Sequence, residues 1–457
     1  MFFKRDLLSK FYNTQFLLIT LLEPLILSLL LSFVVRFYPF ASATNLVYRF
    51  GENDNVPAFI FISIIVSIFM GLSLSAEEIF KDQKMQKREE FLSLSRFSYL
   101  GSKVSIQFLI SFLQTIIFLL PSSLIIGNLN MFFYFFVILF SSACFGNILS
   151  LNISSAFKTI GTIYILIPIL LIPQLILGGI IISYDKMNPL ITNKDKVPVI
   201  ADMIASRWAF EAACLVQFRN NDYDKIFYPI DKEISKWNYK TIYWIPQVEN
   251  KIDEIESLYK KGDGVSSDIA FYKLSIIRNE IDKENQINGL KKFDIQCLSD
   301  TTVDYESLEK LRSHILWSEQ EYNKKLTSLR ESKDNISEKI AYVNSYQYLD
   351  SLQKANHNKA LEKLVLKRGD DDRIIEGDGE LVQIVDPIYN DTYVQKYQMD
   401  CRSNFFSPVK YLFGIKFDTF WFNMGVIWVM CGALFASLHF NLLKSFISLK
   451  WVKKFTE

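Results

Sequence analysis

Long runs of apolar residues occupy two parts of the chain, residues 1–182 and residues 419–457, and leave the middle polar. A helix needs about 20 consecutive apolar residues to cross the hydrocarbon core of a bilayer. Six segments meet that length: Phe16–Val35, Val56–Ala76, Leu100–Leu120, Met131–Ser150, Ile160–Ile182 and Thr419–Asn441. The pattern therefore predicts an all-α polytopic membrane protein with six transmembrane helices. Five of them precede the polar part and one follows it.

The polar part, residues 183–418, has helical periods of its own. Large apolar residues recur at strict seven-residue spacing at Leu308, Ile315, Tyr322, Leu329, Ile336 and Val343. An earlier stretch spaces its apolar residues by four, three and four positions, at Val248, Ile252, Ile255 and Tyr259. Both spacings are typical of amphipathic helices, and the sevenfold one is that of a coiled-coil seam. We therefore expect long helices folded on each other, with a short strand or hairpin within Gly369–Tyr393.

Basic residues indicate on which side of the membrane each connection lies, because short cytoplasmic loops carry an excess of Lys and Arg. With the N-terminus inside, the short outer loops hold only Arg36 and Arg49, and the inner pieces hold 14 Lys and Arg residues. We therefore expect cytoplasmic termini, a membrane domain at 1–182, an external domain at 183–418, and a sixth span with its tail at 419–457. The external helices suit either a solvated arm or an arm that docks a partner.

Composition narrows the functional classes and the compartment. The net charge is only +1, so the chain lacks the basic excess typical of nucleic-acid binding, and we expect no nucleic-acid partner. Heavy use of Lys, Asn, Ile and Phe is typical of an AT-rich bacterial genome and indicates a bacterial inner membrane, with the arm in the periplasm. Five cysteines exclude a scaffold built from disulfides. Cys214, Cys297 and Cys401 are expected outside, and a Cys297–Cys401 bridge is one of the pairings open to them.

The sequence contains no constellation of residues that would carry out catalysis. A phosphate loop of the form GxxxxGK[ST], a zinc-protease HExxH and a GxSxG nucleophile motif are all absent. Only three histidines occur; we expect His314 and His357 to be surface residues of charged helices and His439 to lie at the end of the last span. The chain is therefore not expected to be an enzyme, and no metal site is expected in it.

The most informative polar sequence lies between the second and third spans. Residues Glu77–Phe91 form a charged amphipathic segment directly continuous with the second span, and Tyr99 and Lys103 open the third. Acidic and basic residues alternate here, which suits a protein partner better than an anionic lipid surface. Contact with lipid alone remains the alternative interpretation.

At this point the chain resembles a known family. The pattern Glu78…Arg88-Glu89…Tyr99…Lys103 is similar to the coupling-helix segment of type-2 ABC exporters, especially the G subfamily. A second match is formed by Leu177–Ile182 and by Ser206–Ala212, which resemble the Gly-bearing end of helix five and the "S-x-R-Y-A-F-E-A-L" stretch of that family. Two features depart from it. This chain shows no nucleotide-binding domain before the spans, and the insertion at 183–418 is much longer than the family's usual loop.

The resemblance implies a function and partners. The chain would be the permease subunit of an ATP-driven ABC exporter that moves a hydrophobic or amphipathic substrate out of the cytoplasm or inner leaflet. Its partners would be an ABC ATPase subunit or domain, which holds the ATP and Mg, and a second copy of the chain or a paralogous membrane subunit. The alternative is a mechanotransducing membrane subunit whose external arm drives a periplasmic or envelope protein without substrate crossing the membrane.

The resemblance also assigns roles to individual residues. It implies that Glu77, Glu78, Lys84, Arg88 and Glu89 contact the ATPase. It also implies that Ile180 and Ile181 form the apolar valve of the substrate path. Either isoleucine can equally be a plain lipid-facing or core residue.

Three further charged residues are singled out by their positions. Glu23 is an intramembrane carboxylate beside a proline, and it suits either a polar cavity or the membrane interface. Arg207 and Glu211 lie four residues apart on one helical turn and can pair, so a structural or dimer-contact role is favoured over substrate contact.

Overall fold

A computed structural model describes most of the chain. The described residues are 2–38, 48–82, 95–188, 190–191, 197–261, 264–287, 291–298, 305–368, 373–377, 379–391 and 404–448. They form two compact units. Unit 1 comprises Met1–Asp224, Gln353–Glu362 and Gln395–Glu457, and unit 2 comprises Lys225–Leu352 and Lys363–Val394. Residues 183–224, which the sequence assigns to the external domain, therefore lie in unit 1.

Most of the elements are α-helices, and the strands are short. The first seven helices are α1 (Phe2–Tyr12), α2 (Thr14–Val35), α3 (Val56–Ser75), α4 (Arg96–Ile126), α5 (Phe132–Ala156), α6 (Ile160–Ile176) and α7 (Ala205–Arg219). The middle of the chain forms α8 (Asp224–Tyr239), α9 (Ile245–Lys261), α10 (Gly264–Asn285), α11 (Tyr305–Asn344), α12 (Tyr346–Asn356), α13 (Lys359–Leu366), β1 (Ile374–Gly377) and β2 (Glu380–Gln383). The last elements are β3 (Val409–Leu412), β4 (Ile415–Asp418), α14 (Thr419–His439) and α15 (Leu442–Ser448).

Five helices in the described part of the chain are long and apolar enough to cross a membrane. They are Thr14–Val35, Val56–Asp82, Arg96–Ile126, Leu129–Ala156 and Thr419–His439. The predicted all-α polytopic membrane fold is therefore confirmed. The fifth predicted span, α6, is a shorter apolar helix that ends at Ile176 rather than at Ile182.

The early end of α6 follows from two glycines. Gly179 has φ +91°, a left-handed conformation that ends a helix and that glycine adopts without strain. A Cβ atom at Gly178 would lie 2.3 Å from the Phe61 ring of α3, so a larger residue after α6 would have to displace this ring.

The middle of α3 is in close contact with α5. A Cβ atom at Gly71 would lie 2.2 Å from the Ala143 carbonyl oxygen, and one at Gly146 would lie 2.5 Å from the Ile68 carbonyl oxygen. Small residues allow this close backbone approach, which is a common basis of helix packing in membranes. Side-chain rearrangement cannot absorb relative movement at such a contact, so α3 and α5 should move together.

Unit 2 is built around one hydrophobic core shared by α9, α10 and α11. Among its buried members are Val248, Ile252, Ile255, Ile277, Ile281, Leu308, Leu311, Ile315, Tyr322 and Leu326. The predicted packing of the two periodic stretches on each other is therefore confirmed; the side chain of Tyr259 lies outside the described residues. The sevenfold stripe is buried only in its first half, and its last member, Val343, is 76% exposed.

Two β-hairpins complete the fold. Strands β1 and β2 pair antiparallel with Ile374 opposite Gln383, which confirms the hairpin predicted within Gly369–Tyr393. Strands β3 and β4, which the sequence did not predict, pair with Val409 opposite Asp418. Their two-residue turn, Phe413-Gly414, has positive φ at both positions, as a type I′ turn requires.

Two predictions about polar residues of this part are wrong or unsupported. His314 is buried against Phe293 and Trp317 rather than exposed on a charged surface. Cys297 carries a free thiol, which does not support the Cys297–Cys401 bridge; Cys401 lies outside the described residues.

Candidate functional site

The described start of the predicted coupling helix continues α3. The chain turns at Ala76 and Glu77 and is helical again from Glu78 to Asp82. The backbone N–H groups of Ile79 and Phe80 donate to the Ser154 hydroxyl oxygen at 3.2 and 3.0 Å. The C-terminal end of α5 thus satisfies two donors at the start of this short helix, where they have no partner within the helix itself.

A lysine of α4 is surrounded by three carboxylates. The Nζ atom of Lys103 lies 2.9 Å from Asp6 Oδ1, 3.4 Å from Glu78 Oε2 and 2.9 Å from Asp82 Oδ2. The Lys103 side chain is only 6% exposed. Charge-assisted hydrogen bonds of this kind are stronger away from water than at the surface. They join α1, α4 and the Glu77–Asp82 segment at one point.

Two further side chains extend this group. Lys10 of α1 donates a hydrogen bond to Glu78, and the Tyr99 hydroxyl of α4 donates to Asp82 Oδ2 at 2.9 Å. The resulting coupling cluster consists of Asp6, Lys10, Glu78, Asp82, Tyr99 and Lys103. Its three carboxylates face two ammonium groups and one hydroxyl, so each carboxylate has a hydrogen-bond donor.

Glu77 lies beside the coupling cluster and connects to a different helix. Its carboxylate accepts a hydrogen bond from the Tyr164 hydroxyl of α6 at 2.8 Å and pairs with Lys81 at 2.6 Å. The structure therefore brings Glu77 and Glu78 into contact with three helices, α1, α4 and α6. The other predicted coupling residues, Lys84, Arg88 and Glu89, lie outside the described residues.

The opposite end of α6 is joined to α7 by one glutamine. The Ser206 backbone N–H donates to Gln174 Oε1 at 2.9 Å, and the Ser206 hydroxyl donates to the Gln174 carbonyl at 2.7 Å. The predicted valve residues follow this joint, with Ile180 half-buried and Ile181 61% exposed. Neither is packed in the core of unit 1.

Glu211 lies at the centre of a buried polar network. Lys410 Nζ lies 2.9 Å from Glu211 Oε1, and the Asn423 side-chain amide donates to Glu211 Oε2 at 2.9 Å. All three side chains are fully buried. Burial by itself would raise the pKa of Glu211, but the charges of Lys410 and Arg207 outweigh it and the pKa is lowered. The carboxylate is therefore ionised and holds α7, β3 and α14 together.

Arg207 lies next to this network but forms no hydrogen bond with Glu211. Its Nη1 atom is 3.7 Å from Glu211 Oε2 and 3.6 Å from Asp202 Oδ1, which is beyond hydrogen-bond distance for both. Its guanidinium carbon lies 3.7 Å from the centre of the Trp208 ring. Arg207 is fully buried, so the predicted nearness of Arg207 and Glu211 is present inside unit 1 rather than on a surface open to substrate.

Glu23 belongs to neither group. It is half-buried on α2, beside the buried Pro24. Within the described part of the chain, no side chain forms a hydrogen bond or ion pair with its carboxylate. The structure therefore places Glu23 apart from the other predicted site residues.

In the described ranges, no group of three or more His, Cys, Asp or Glu side chains could hold a metal ion.

The membrane part of the chain matches a model of a known protein family. No curated protein matches the chain. Residues 1–218, which contain the coupling cluster and the α6–α7 joint, match the family model described as ABC-2 type transporter. This match supports an ABC-2 permease, the membrane subunit of an ABC transporter.

Proposed function

We propose that the chain is the permease subunit of an ATP-driven exporter of the G-subfamily type, and that residues 77–91 receive the movement of a separate ABC ATPase. The coupling cluster is the observation that carries this proposal. It fixes the described start of that segment to α1 and α4 by charge-assisted contacts, and Glu77 fixes it to α6. A displacement of the segment would therefore be shared by several membrane helices rather than absorbed by a loose loop.

Orientation and assembly follow from the same reasoning. The distribution of Lys and Arg favours cytoplasmic termini in a bacterial inner membrane, which puts the coupling cluster on the ATPase side. Unit 2 would then lie in the periplasm. The ATP and Mg would be held by the partner, since the sequence has no phosphate loop. A second copy or a paralogous subunit would complete the permease, as the family implies.

The cargo is inferred to be hydrophobic or amphipathic. Helix α6 exposes a row of isoleucines, with Ile165, Ile169 and Ile172 each more than half exposed. Such a face suits lipid, a second subunit or an apolar cargo path between them. Ile180 and Ile181 would close that path at the end of α6, and Glu23 would line its polar side.

The proposal is tested by substitutions at the coupling cluster. The chain is co-expressed with a candidate ABC ATPase partner, and substrate-stimulated ATP hydrolysis is measured in nanodiscs. We expect Lys103→Gln to reduce stimulation at least tenfold while basal hydrolysis persists. Lys81→Gln is the matched control, because Lys81 is 67% exposed and pairs only with Glu77 among the described residues. Equal stimulation in both variants would contradict the proposal.

Charge reversal at the predicted ATPase contact tests the same proposal independently. Arg88→Glu together with Glu89→Arg should uncouple hydrolysis from transport, because two charge-assisted contacts at one joint are lost. If the segment touches only lipid, the double variant would change the salt dependence of membrane association and leave coupling intact.

A second candidate function is mechanotransduction, favoured by the size of unit 2 and its separate hydrophobic core. Deleting residues 247–344, which lie in unit 2 and leave residues 353–362 of unit 1 in place, distinguishes the two. An exporter with its cargo path between membrane helices keeps substrate-stimulated ATPase activity and efflux after the deletion. A mechanotransducer keeps basal ATPase activity and loses its cellular function. Loss of dimer assembly would instead make this region part of the subunit interface.

A further inference from the structure

A short segment of the helical insertion belongs to unit 1. Residues Gln353–Glu362, which we call the return segment, lie in unit 1, whereas the chain before and after them lies in unit 2. The return segment contains the last turn of α12 and the first turn of α13. The sequence predicts His357 in this segment to be a surface residue, but its side chain is only 15% exposed. The contacts of the return segment explain this difference.

Asn358 binds the loop that leads into α3. Its side-chain Nδ2 donates to the Phe50 carbonyl at 2.7 Å and to the Asn53 carbonyl at 2.9 Å. Its Oδ1 accepts from the Leu361 backbone N–H at 2.8 Å, as an N-cap residue of α13 does. One buried side chain therefore begins α13 and holds the loop that ends where α3 begins, at Val56.

The two backbones also touch directly at a glycine. A Cβ atom at Gly51 would lie 2.6 Å from the His357 carbonyl oxygen and 3.0 Å from that of Lys354. Any side chain at Gly51 would push the return segment away from the loop. The contact between the loop and the return segment therefore depends on close backbone packing as well as on hydrogen bonds.

The His357 side chain of the return segment contacts charged residues of α8 and α13. Its Nδ1 lies 2.8 Å from Asp224 Oδ1, and its Nε2 lies 3.2 Å from Glu362 Oε2. Burial would lower the pKa of His357, but the hydrogen bonds and charges of Asp224 and Glu362 outweigh it and raise the pKa to about 9. The ring also packs near Phe218 and Tyr223. At neutral pH the imidazolium therefore donates from both nitrogens.

These contacts sit at one end of α3, and the coupling cluster sits at the other. Helix α3 has 20 residues, which corresponds to about 30 Å, and it continues directly into Glu77–Asp82. Its middle is fixed to α5 by the close contacts at Gly71 and Gly146. Packed helices of this kind shift as rigid bodies, since a close-packed interior does not deform continuously.

We infer that α3 transmits movement from the coupling cluster to the return segment through the contacts of Asn358 and Gly51. From the return segment the chain continues through α12 and α13 into unit 2, so the ATPase cycle would move unit 2 as well as the membrane helices. This inference rests on the proposed function for the source of the movement. The link itself rests on the contacts of the return segment.

Two distances measured by spin labels test the inference in the full chain with its ATPase. One pair, at the exposed Lys81 and Lys158, reports on the coupling end of α3. The other, at Asn335 of α11 and Leu124 of α4, reports on unit 2. Distances are compared between the nucleotide-free and the ATP–vanadate-trapped complex. We expect both distances to shift in the otherwise native chain.

Two variants then interrupt the link in different ways. Asn358→Ala removes the hydrogen bonds to the loop, and Gly51→Val adds a side chain that separates the backbones. Each should abolish the Asn335–Leu124 shift and leave the Lys81–Lys158 shift unchanged. Asn344→Ala, at the exposed end of α11, is the control and should preserve both shifts.

The outcomes separate the inference from the function it rests on. If both distances still shift in Asn358→Ala and Gly51→Val, the return segment is not the link. If only Lys81–Lys158 shifts in the native chain, the inference fails and the proposed function stands. If neither distance shifts in the native chain, both fail.

Discussion

Lys103 and Glu78 approach within 3.4 Å of each other, although 25 residues separate them along the chain and both side chains are largely removed from water. Breaking a buried ion pair leaves an uncompensated charge, which typically costs about 3–5 kcal/mol. We expect Lys103→Met to lower the free energy of unfolding by about 3 kcal/mol, measured by thermal unfolding in detergent. Adding Glu78→Gln should then cost less than the same substitution costs in the native chain, since the contact with Lys103 is already lost. Additive losses in the double variant would contradict a direct interaction.

The return segment should weaken in alkaline solution. The folded pKa of His357 is raised to about 9 from an ordinary value of 6.5, so its stabilisation is complete below pH 6.5 and is lost as the pH rises through about 9. This shift corresponds to about 3 kcal/mol. We expect proteolytic cleavage within 353–362 to accelerate between pH 7.5 and pH 10. His357→Gln should be cleaved rapidly at both pH values, and a native chain with constant cleavage would refute the role of the imidazolium.

The seven-residue stripe of α11 offers a matched pair of substitutions. Ile315 is 1% exposed in the core of unit 2, whereas Val343 is 76% exposed. Ile315→Asp buries an unpaired carboxylate and should destabilise unit 2 by more than about 3 kcal/mol, while Val343→Asp should change stability by less than about 0.5 kcal/mol. Circular dichroism and limited proteolysis of the α11 region measure the difference. The membrane helices should remain assembled in both variants, because the core of unit 2 is its own.

Topology can be tested by labelling single cysteines in intact cells. A cysteine at Asn335 should react with an impermeant maleimide from outside, and one at Lys450 should react only after the membrane is opened. This result follows from the distribution of basic residues around the spans. Labelling at Lys450 from outside would rule out cytoplasmic termini.

The spans were predictable because each apolar run carries its own signal over about 20 residues. The end of α6 was harder to place, since the run Leu177–Ile182 is still apolar. The helix ends because Gly179 takes a positive φ and Gly178 must accommodate Phe61, a contact invisible in the local pattern.

The polar networks were only partly predictable. Glu77, Glu78, Tyr99 and Lys103 were singled out, and Asp6 and Lys10 share one face of α1 because they are four residues apart. Their common contact depends on distant segments. Lys410 shows the limit most clearly, because a lysine in a short strand is expected to be exposed, and here it is buried against Glu211, 199 residues away.

The contact of Asn358 with the loop before α3 has a consequence for biogenesis. The two carbonyls it binds, at Phe50 and Asn53, precede it by 308 and 305 residues. The first two membrane helices therefore leave the ribosome and enter the bilayer long before Asn358 is synthesised. Until then these carbonyls keep the backbone N–H donors of Asn53 and Val56, and their remaining acceptor capacity is met by water if the loop lies at an aqueous surface. Synthesis of the insertion as far as α13 is thus needed before the entrance to α3 can reach its final state.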